Sequence, residues 1–257
     1  MNKDQKLYTL LLKETFEISN LTKNVNQYYS FLHYSDFNIL CEKIMFNYGI
    51  KQRHFYFSKI QGLETECKKC WKYYLNPRNK SIKKYDIIYG KKFEYSFINF
   101  LNKLNIRSDK ADKSHAILPD NLIIDSKGEI LAYYEVKYHN APFVWKYKYT
   151  PGRECYEGSI TLDYEKVKKQ IYETRNKTYL PVYYLHWVDF PCIKGVFFMS
   201  LEDTEKIVEL GVEFARRERE GNYILSKGTK KMVGYKNKIY PSIFKMQNLE
   251  KFIDLFI

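Results

Sequence analysis

The most regular spacing of apolar residues lies in the middle of the chain. Apolar side chains recur there at intervals of three or four residues, which places them on one face of an α-helix. They are Tyr89, Phe93, Phe97, Phe100, Leu101 and Leu104. Asp86 precedes all of them and has a side chain that can cap a helix. We therefore predict an amphipathic helix that begins at Asp86.

Two β-rich runs follow this helix and predict a hairpin. They extend from His115 to Asp125 and from Ile130 to Tyr138. Between them, Ser126-Lys-Gly-Glu129 is typical of a tight turn, with Gly128 where a positive φ is useful. The pattern then predicts a helix, two strands and a second helix, at 162–176, 179–188, 193–199 and 201–220. This order predicts an α/β fold with a mixed central β-sheet flanked by helices.

The chain divides by pattern into three parts. Residues 1–80 are predicted to form a mainly helical N-terminal region, whose first apolar stripe is Leu7, Leu10, Leu11, Thr15 and Ile18. Residues 81–200 form the predicted core. Residues 201–257 are predicted to be a C-terminal helix and a basic tail packed on that core.

Composition narrows the class of protein. The chain has 257 residues, of which 45% are hydrophobic and 28% charged, so a globular core is expected rather than disorder. No apolar run approaches the roughly 18 residues that a membrane helix needs, and the first residues do not resemble a signal peptide. We expect a soluble, cytoplasmic protein without a membrane partner.

The charge indicates a polyanionic partner. Lys and Arg number 43 against 30 Asp and Glu, which gives a net charge of +13. Such an excess most often accompanies nucleic-acid binding. Codon bias in an AT-rich genome would also enrich lysine, so the charge alone leaves both explanations open.

The five cysteines predict little chemistry. Their number is odd, and reduced thiols are the expectation for a cytosolic chain. Cys67 and Cys70 have the spacing of a zinc knuckle, and Cys41 or His54 could complete a tetrad. No second Cys-x-x-Cys or His-x-x-x-His follows, so we expect incidental thiols, with structural zinc as the alternative.

One group of charged residues carries a chemical hypothesis. Pro119-Asp120 lies at the start of the hairpin, and Glu135-Val136-Lys137 lies on its second strand. The register that pairs Ser126 with Glu129 also places Asp120 opposite Glu135, with Cβ atoms about 5 Å apart. A four-residue loop closed by Asp125 and Ile130 gives the same pairing. Facing carboxylates repel each other, and a divalent cation between them would relieve the repulsion. Hard oxygen ligands favour Mg²⁺ or Mn²⁺.

Two further side chains join this group. Lys137 shares a strand face with Glu135, because strand residues two apart point the same way. Its ammonium group could orient or activate an attacking water and stabilise charge on phosphorus. Glu94 lies beside the apolar stripe of its helix and could point toward the sheet. An ordinary charged hairpin is the alternative interpretation.

These residues resemble the motifs of the PD-(D/E)XK nuclease superfamily, the fold of many type II restriction endonucleases. The matching segments are Gly90-Lys-Lys-Phe-Glu94, Pro119-Asp120-Asn-Leu-Ile and Tyr134-Glu135-Val136-Lys137. The resemblance covers roughly residues 86–199 and implies a restriction-endonuclease-like core. It implies that Asp120, Glu135 and the Val136 carbonyl bind Mg²⁺, with Mn²⁺ as a substitute. It also implies that Lys137 is the catalytic lysine and that Glu94 supports a metal site.

Several residues outside the motifs are candidate DNA contacts. The loop after the second hairpin strand interleaves aromatic and basic side chains, which suit stacking and phosphate contact. Its candidates are Trp145, Lys146, Lys148 and Arg153. Gln170, on the following helix, could also face the phosphate, although a solvated helix face explains its position equally well.

The sequence thus predicts a Mg²⁺-dependent endonuclease that hydrolyses double-stranded DNA, most simply a type II restriction endonuclease. No phosphate-binding loop of an ATPase is present, which favours an enzyme that acts alone. A palindromic target would call for a homodimer, with residues 1–80 as a candidate DNA-recognition or dimerisation part. The alternatives are a structure-specific repair or junction-resolving nuclease, and a non-catalytic nucleic-acid-binding module of the same fold.

Overall fold

The structure is a computed structural model of the chain. It describes residues 3–15, 83–112, 117–139, 144–145, 156–157, 160–189, 194–211, 214–217, 223–226, 229–232, 235–241 and 245–257. Among the helices in these ranges, none combines the length and the apolar character needed to cross a bilayer.

Five α-helices are described. They are α1 (Lys3–Lys13), α2 (Lys83–Lys103), α3 (Tyr164–Glu173), α4 (Leu201–Glu209) and α5 (Leu249–Ile253). Helix α3 continues into one π-helical turn, Thr174–Thr178, which ends at Tyr179 in the left-handed region with a φ of 55°.

Thirteen strands are described, six of which build the central sheet. The six are β1 (Ser108–Lys110), β2 (Asn121–Ile124), β3 (Ile130–His139), β7 (Val182–Asp189), β8 (Lys194–Ser200) and β13 (Gln247–Asn248), in the order β1-β2-β3-β7-β8-β13. Strands β3 and β7 are parallel, and the other neighbours are antiparallel. The predicted α/β class, a mixed sheet flanked by helices, is therefore confirmed.

The remaining strands form smaller sheets. They are β4 (Val144–Trp145) with β5 (Tyr156–Glu157), β10 (Tyr223–Ser226) with β11 (Thr229–Met232), and β6 (Leu162–Asp163), β12 (Tyr235–Ile239) and β9 (Phe214–Arg217), which form a three-stranded sheet in the order β6-β12-β9. Strand β6 leads directly into α3, so the three-stranded sheet lies at the N-terminal end of that helix.

The central sheet has an apolar core on each face. The first core joins Tyr134 and Val136 of β3 to α1, α2 and α5, with Phe97 and Phe252 among its fully buried rings. The second core joins Tyr133 of β3 to side chains from α3, α4, β6 and β12. Because successive strand residues point to opposite faces, Glu135 and Lys137 share the second face with Tyr133.

The apolar stripe of α2 is confirmed, but its predicted start is wrong. Phe93, Phe97, Phe100 and Leu101 are buried in the first core. The helix begins at Lys83, three residues before the predicted cap at Asp86. A polar side chain that can cap a helix is also tolerated inside one, so the sequence did not distinguish the two cases.

The hairpin between β2 and β3 has the predicted register but not the predicted turn. Asn121 pairs with Tyr134, and Ile123 with Ala132. Neither predicted pair of residues closes the turn: the amide of Asp125 donates to the Glu129 carbonyl at 2.9 Å, and Gly128 adopts a φ of 92°. A register shift beside Ile124 offsets the different turn, so the residues from Ile123 to Asn121 keep the predicted partners on β3.

The predicted helix over 201–220 is wrong beyond its first half. Helix α4 ends at Glu209, and Gly211 follows with a φ of 65°, a conformation that terminates helices. Phe214–Arg217 instead forms β9 and pairs with β12. Strands β10, β11 and β12 follow it, in the part of the chain that was predicted as a basic tail.

The start of the chain packs on the core. Leu7, Tyr8 and Leu11 of α1 are buried in the first core, whereas Leu10, a predicted member of the stripe, is exposed. Asp4 accepts a hydrogen bond from the amide of Glu250 at 3.0 Å, which ties α1 to α5.

Candidate active site

The candidate site lies where β3 extends beyond β2. Strand β2 pairs with β3 only as far as Asn121 opposite Tyr134, and β3 continues to His139. Asp120 immediately precedes β2 and is exposed, and its carbonyl accepts a hydrogen bond from the amide of Ala111 at 2.9 Å. Asp120 and Glu135 are therefore the next residues beyond the Asn121–Tyr134 pair, one on each side of the hairpin, as the predicted register requires.

Glu135 is buried and is held by two lysines. Its Oε1 lies 2.7 Å from Nζ of Lys137, and its Oε2 lies 2.7 Å from Nζ of Lys166. Burial raises the pKa of Glu135, but the two ammonium groups lower it by more, so the net pKa is well below its usual range. Glu135 is therefore ionised at neutral pH, and Lys137 is the neighbour that the sequence predicts.

Lys166 is a site residue that the sequence analysis missed. It lies in the first turn of α3, and the side chain of Asp163 caps this helix by accepting from the amide of Lys166. Burial lowers the pKa of Lys166, whereas Glu135 raises it by more, so the ammonium form is favoured. A possible signal was its place beside Val167, on the edge of the buried face of α3.

Glu94 reaches the same area from α2. It is half-buried and forms an ion pair with Lys110 of β1. Burial raises the pKa of Glu94, Lys110 partly offsets this, and the charges of Asp120 and Glu135 raise the pKa further. The charges of Asp120 and Glu135 therefore both act on Glu94.

The donor atoms suit a hard divalent cation, but they are not assembled as a closed site. Carboxylate oxygens are the ligands that Mg²⁺ prefers, and repulsion among them is what such a cation relieves. Within the described part of the chain, however, no three or more His, Cys, Asp or Glu side chains are grouped so that they could hold a metal ion. Instead, lysine ammonium groups compensate Glu94 and Glu135.

Gln170 packs behind Glu135 rather than on the surface. Its side chain is fully buried, and its Oε1 accepts a hydrogen bond from the hydroxyl of Tyr184 at 2.5 Å. Tyr184 is the β7 partner of Glu135 in the parallel register. The Nε2 atom of Gln170 is buried without a hydrogen-bond partner. This arrangement leaves a buried donor near the site, but it offers no exposed group for contact with DNA.

A pair of histidines extends the same strand face. Nε2 of His139 lies 3.0 Å from Nδ1 of His186, which is the β7 partner of Lys137. Burial and the nearby charge of Lys137 lower the pKa of His139 to about 3. Burial, His139 and Lys137 likewise lower the pKa of His186. Both rings are therefore neutral at physiological pH, which limits the positive charge beside Lys137.

Other predicted residues are only partly covered by the structure. Trp145 lies in β4, but its side chain is outside the described residues. Lys146, Lys148 and Arg153 are outside them as well, and so are Cys67 and Cys70. Their predicted roles in DNA binding and in zinc binding stay predictions.

Comparisons with known proteins give likenesses among solved structures alone. No family model and no curated protein match the sequence. Among solved structures, the chain is similar to D212, a nuclease from a fusselovirus, with a TM-score of 0.34 and 12% sequence identity over 68% of this chain and 89% of that chain. A TM-score of this size carries no functional argument, so the case for a function rests on the site residues.

Proposed function

We propose that the protein is a divalent-metal-dependent endonuclease that hydrolyses phosphodiester bonds of double-stranded DNA. The observation that carries the proposal is the buried Glu135, ionised between Lys137 and Lys166 and adjacent to Asp120 at the end of a strand pair. Strongly shifted ionisable groups are concentrated at functional sites. The net charge of +13 supports a polyanionic substrate.

Each residue of the site has its own role in this proposal. Asp120 and Glu135, with the main-chain carbonyl of Val136, would hold Mg²⁺, and Mn²⁺ would substitute. The metal would supply Lewis-acid polarisation of the phosphate and a lowered pKa for an attacking water. Lys137 would orient that water and stabilise the negative charge that develops on the phosphate oxygens.

Glu94 would act as an electrostatic partner of this site. Its pKa is raised by burial and by the neighbouring carboxylates, so added positive charge favours its ionised form. Lys110 holds it in place from β1. In this proposal Glu94 supports the metal site without bonding to the substrate.

More specifically, we propose a type II restriction endonuclease that acts as a homodimer in the cytoplasm. A sequence-specific enzyme that cuts a palindrome needs one active site for each strand, which a twofold dimer supplies. A junction-resolving nuclease would use the same chemistry on branched DNA.

A non-catalytic nucleic-acid-binding module is the second candidate. One observation favours it: both oxygens of Glu135 are engaged by ammonium groups, and the described carboxylates do not form a closed metal site. A cation would have to replace one of the two ammonium groups, and a binding module would need no such exchange.

Incubation of the purified protein with a supercoiled plasmid and Mg²⁺ tests the proposal. Discrete linear fragments are expected from a restriction enzyme, and a Glu135→Gln preparation serves as the control for contaminating nucleases. Unchanged supercoiled plasmid, together with a shift of the plasmid in a gel, would contradict a restriction endonuclease and favour the binding module. Cleavage of branched DNA but not of the plasmid would indicate a junction nuclease.

A further inference from the structure

A cleft adjoins the candidate active site and has no role in the proposal above. It lies between the first two turns of α3 and strand β12, and its volume is about 630 Å³. Three lysines line it, Lys166, Lys169 and Lys236. Lys166 also bonds to Glu135 at 2.7 Å, so the cleft and the acidic site share one side chain.

The two acidic residues that line the cleft, Asp163 and Glu165, offset only part of this positive charge. Asp163 accepts from the amide of Lys166 and is paired with Lys236 at 3.4 Å and with Lys238 at 3.3 Å. Burial raises the pKa of Asp163, but these lysines lower it by more, so it is a fixed structural anion. Glu165 lies on the exposed side of α3.

Lys169 is the most available cation in the cleft. It is exposed, and it forms no ion pair with any residue in the described ranges. It follows Lys166 by three positions on α3, so the two side chains lie on neighbouring positions of one helix face. Lys236 approaches from β12 on the other wall. The cleft therefore presents two exposed ammonium groups, Lys169 and Lys236, beside the one held at Glu135.

The size and the remaining lining residues suit one nucleotide unit rather than a whole duplex. Ligand pockets of about 300–1,000 Å³ bury molecules of roughly that size. Ile117 contributes an exposed apolar side chain, and Asn237 contributes an amide that can donate and accept hydrogen bonds.

We propose that this cleft binds the nucleic-acid backbone next to the cleaved bond, with Lys169 and Lys236 in contact with the adjacent phosphate. The proposal rests on the proposed function for its substrate. Lys166 is a positioning residue in it, because it links the occupied cleft to the carboxylate of Glu135. The nucleic-acid strand in the cleft is thereby held at a fixed position relative to the acidic site.

Binding measurements without cleavage test the cleft directly. Fluorescence anisotropy with a labelled DNA duplex in EDTA, over a range of salt concentrations, compares the wild type with the Lys169→Ala/Lys236→Ala variant. Because it lacks two phosphate contacts, the variant should bind the duplex roughly 10- to 100-fold more weakly at 0.1 M salt. Its salt slope, the slope of log affinity against log salt concentration, should be smaller by about 1.8. A Lys169→Arg/Lys236→Arg variant should keep both values.

A matched control removes the same charge elsewhere. Lys177→Ala/Lys206→Ala replaces two exposed lysines that pair with Glu173 and Asp203 and do not line the cleft. It should leave the affinity and the salt slope unchanged. Equal losses in both double variants would overturn the cleft proposal and indicate a general charge effect. Displacement of the duplex by equimolar mononucleotide would also overturn it.

The result is separable from the proposed function. If the wild type cuts plasmid and the cleft variant binds DNA normally, the cleft proposal alone is contradicted. If the wild type never cuts DNA and the cleft variant binds DNA more weakly, the cleft is supported as a phosphate-binding site and the nuclease proposal is contradicted.

Discussion

Lys166 and Glu135 are 31 residues apart in the chain, yet their side chains form an ion pair of 2.7 Å. Lys166 lies in the first turn of a helix, and Glu135 lies in the middle of the central sheet. Together with Lys137, this pair places two positive charges around one buried carboxylate. The candidate site is therefore defined by a charge balance as well as by its carboxylates.

Removal of the acid or lysine groups should separate cleavage from binding. Asp120→Ala, Glu135→Gln and Lys137→Ala should each lower the rate of plasmid cleavage by at least about 100-fold. The first two would lose a metal ligand, and the third would lose the cation beside the reacting phosphate. Affinity for a DNA duplex should stay within a few fold, since contacts elsewhere supply most of it. Rapid cleavage by Asp120→Ala and Lys137→Ala would contradict the assignment of the site.

The lowered pKa of Glu135 predicts a pH-dependent stability difference. Above about pH 5, Glu135→Gln should be less stable to urea than the wild type by about 1–3 kcal/mol, because two ammonium groups lose their shared partner. The contribution of a carboxylate with a lowered pKa is lost as the pH falls below its unfolded value of about 4.3. The two unfolding free energies should converge in that acid range. A constant difference down to pH 3 would contradict the ionised state of Glu135.

The histidine pair predicts a second pH effect, in a different range. The folded protein keeps His139 and His186 neutral, whereas the unfolded chain takes up protons on both below about pH 6.5. Stability should therefore fall between pH 6.5 and pH 5, by up to about 1.4 kcal/mol per pH unit for each histidine. His139→Gln/His186→Gln should show a flatter profile over this range in urea titrations. Equal slopes in both proteins would mean that the histidines titrate normally in the fold.

Gly90 predicts a stabilising substitution. It lies inside α2, and a Cβ atom built on it would meet no atom within 4 Å. Glycine inside a helix costs about 0.5–1 kcal/mol relative to alanine. Gly90→Ala should raise the unfolding free energy by that amount in denaturant titrations. A loss of stability would show that the helix needs close approach at this position.

Much of the fold near the site could be predicted from local patterns. The apolar spacing of α2 is a helical period, and it placed Phe93, Phe97 and Phe100 correctly in the core. The two β-rich runs and the glycine turn between them predicted a hairpin with the observed register at Asn121 and Tyr134. These features depend on contacts between residues close in sequence, where periodicity and turn chemistry act directly.

Other features were decided only by tertiary structure. The charged segment with Arg216 is compatible with a helix, and it became a strand because β12 offered an edge for pairing after Gly211 ended α4. Helix α5 packs against α1, although their sequences are more than two hundred residues apart. Such contacts are set by the whole core rather than by local preference.

The same division applies to the candidate site. The sequence alone predicted Asp120, Glu135 and Lys137 as neighbours, because one hairpin carries all three and strand geometry fixes their faces. Lys110 and Lys166 were decided by tertiary structure, since each comes from a different element that packs against the hairpin. Lysines are abundant along this chain, and an ion pair between distant elements leaves no spacing pattern in a sequence. Only the packing of α3 and β1 around the sheet selects these two lysines to balance the buried carboxylates.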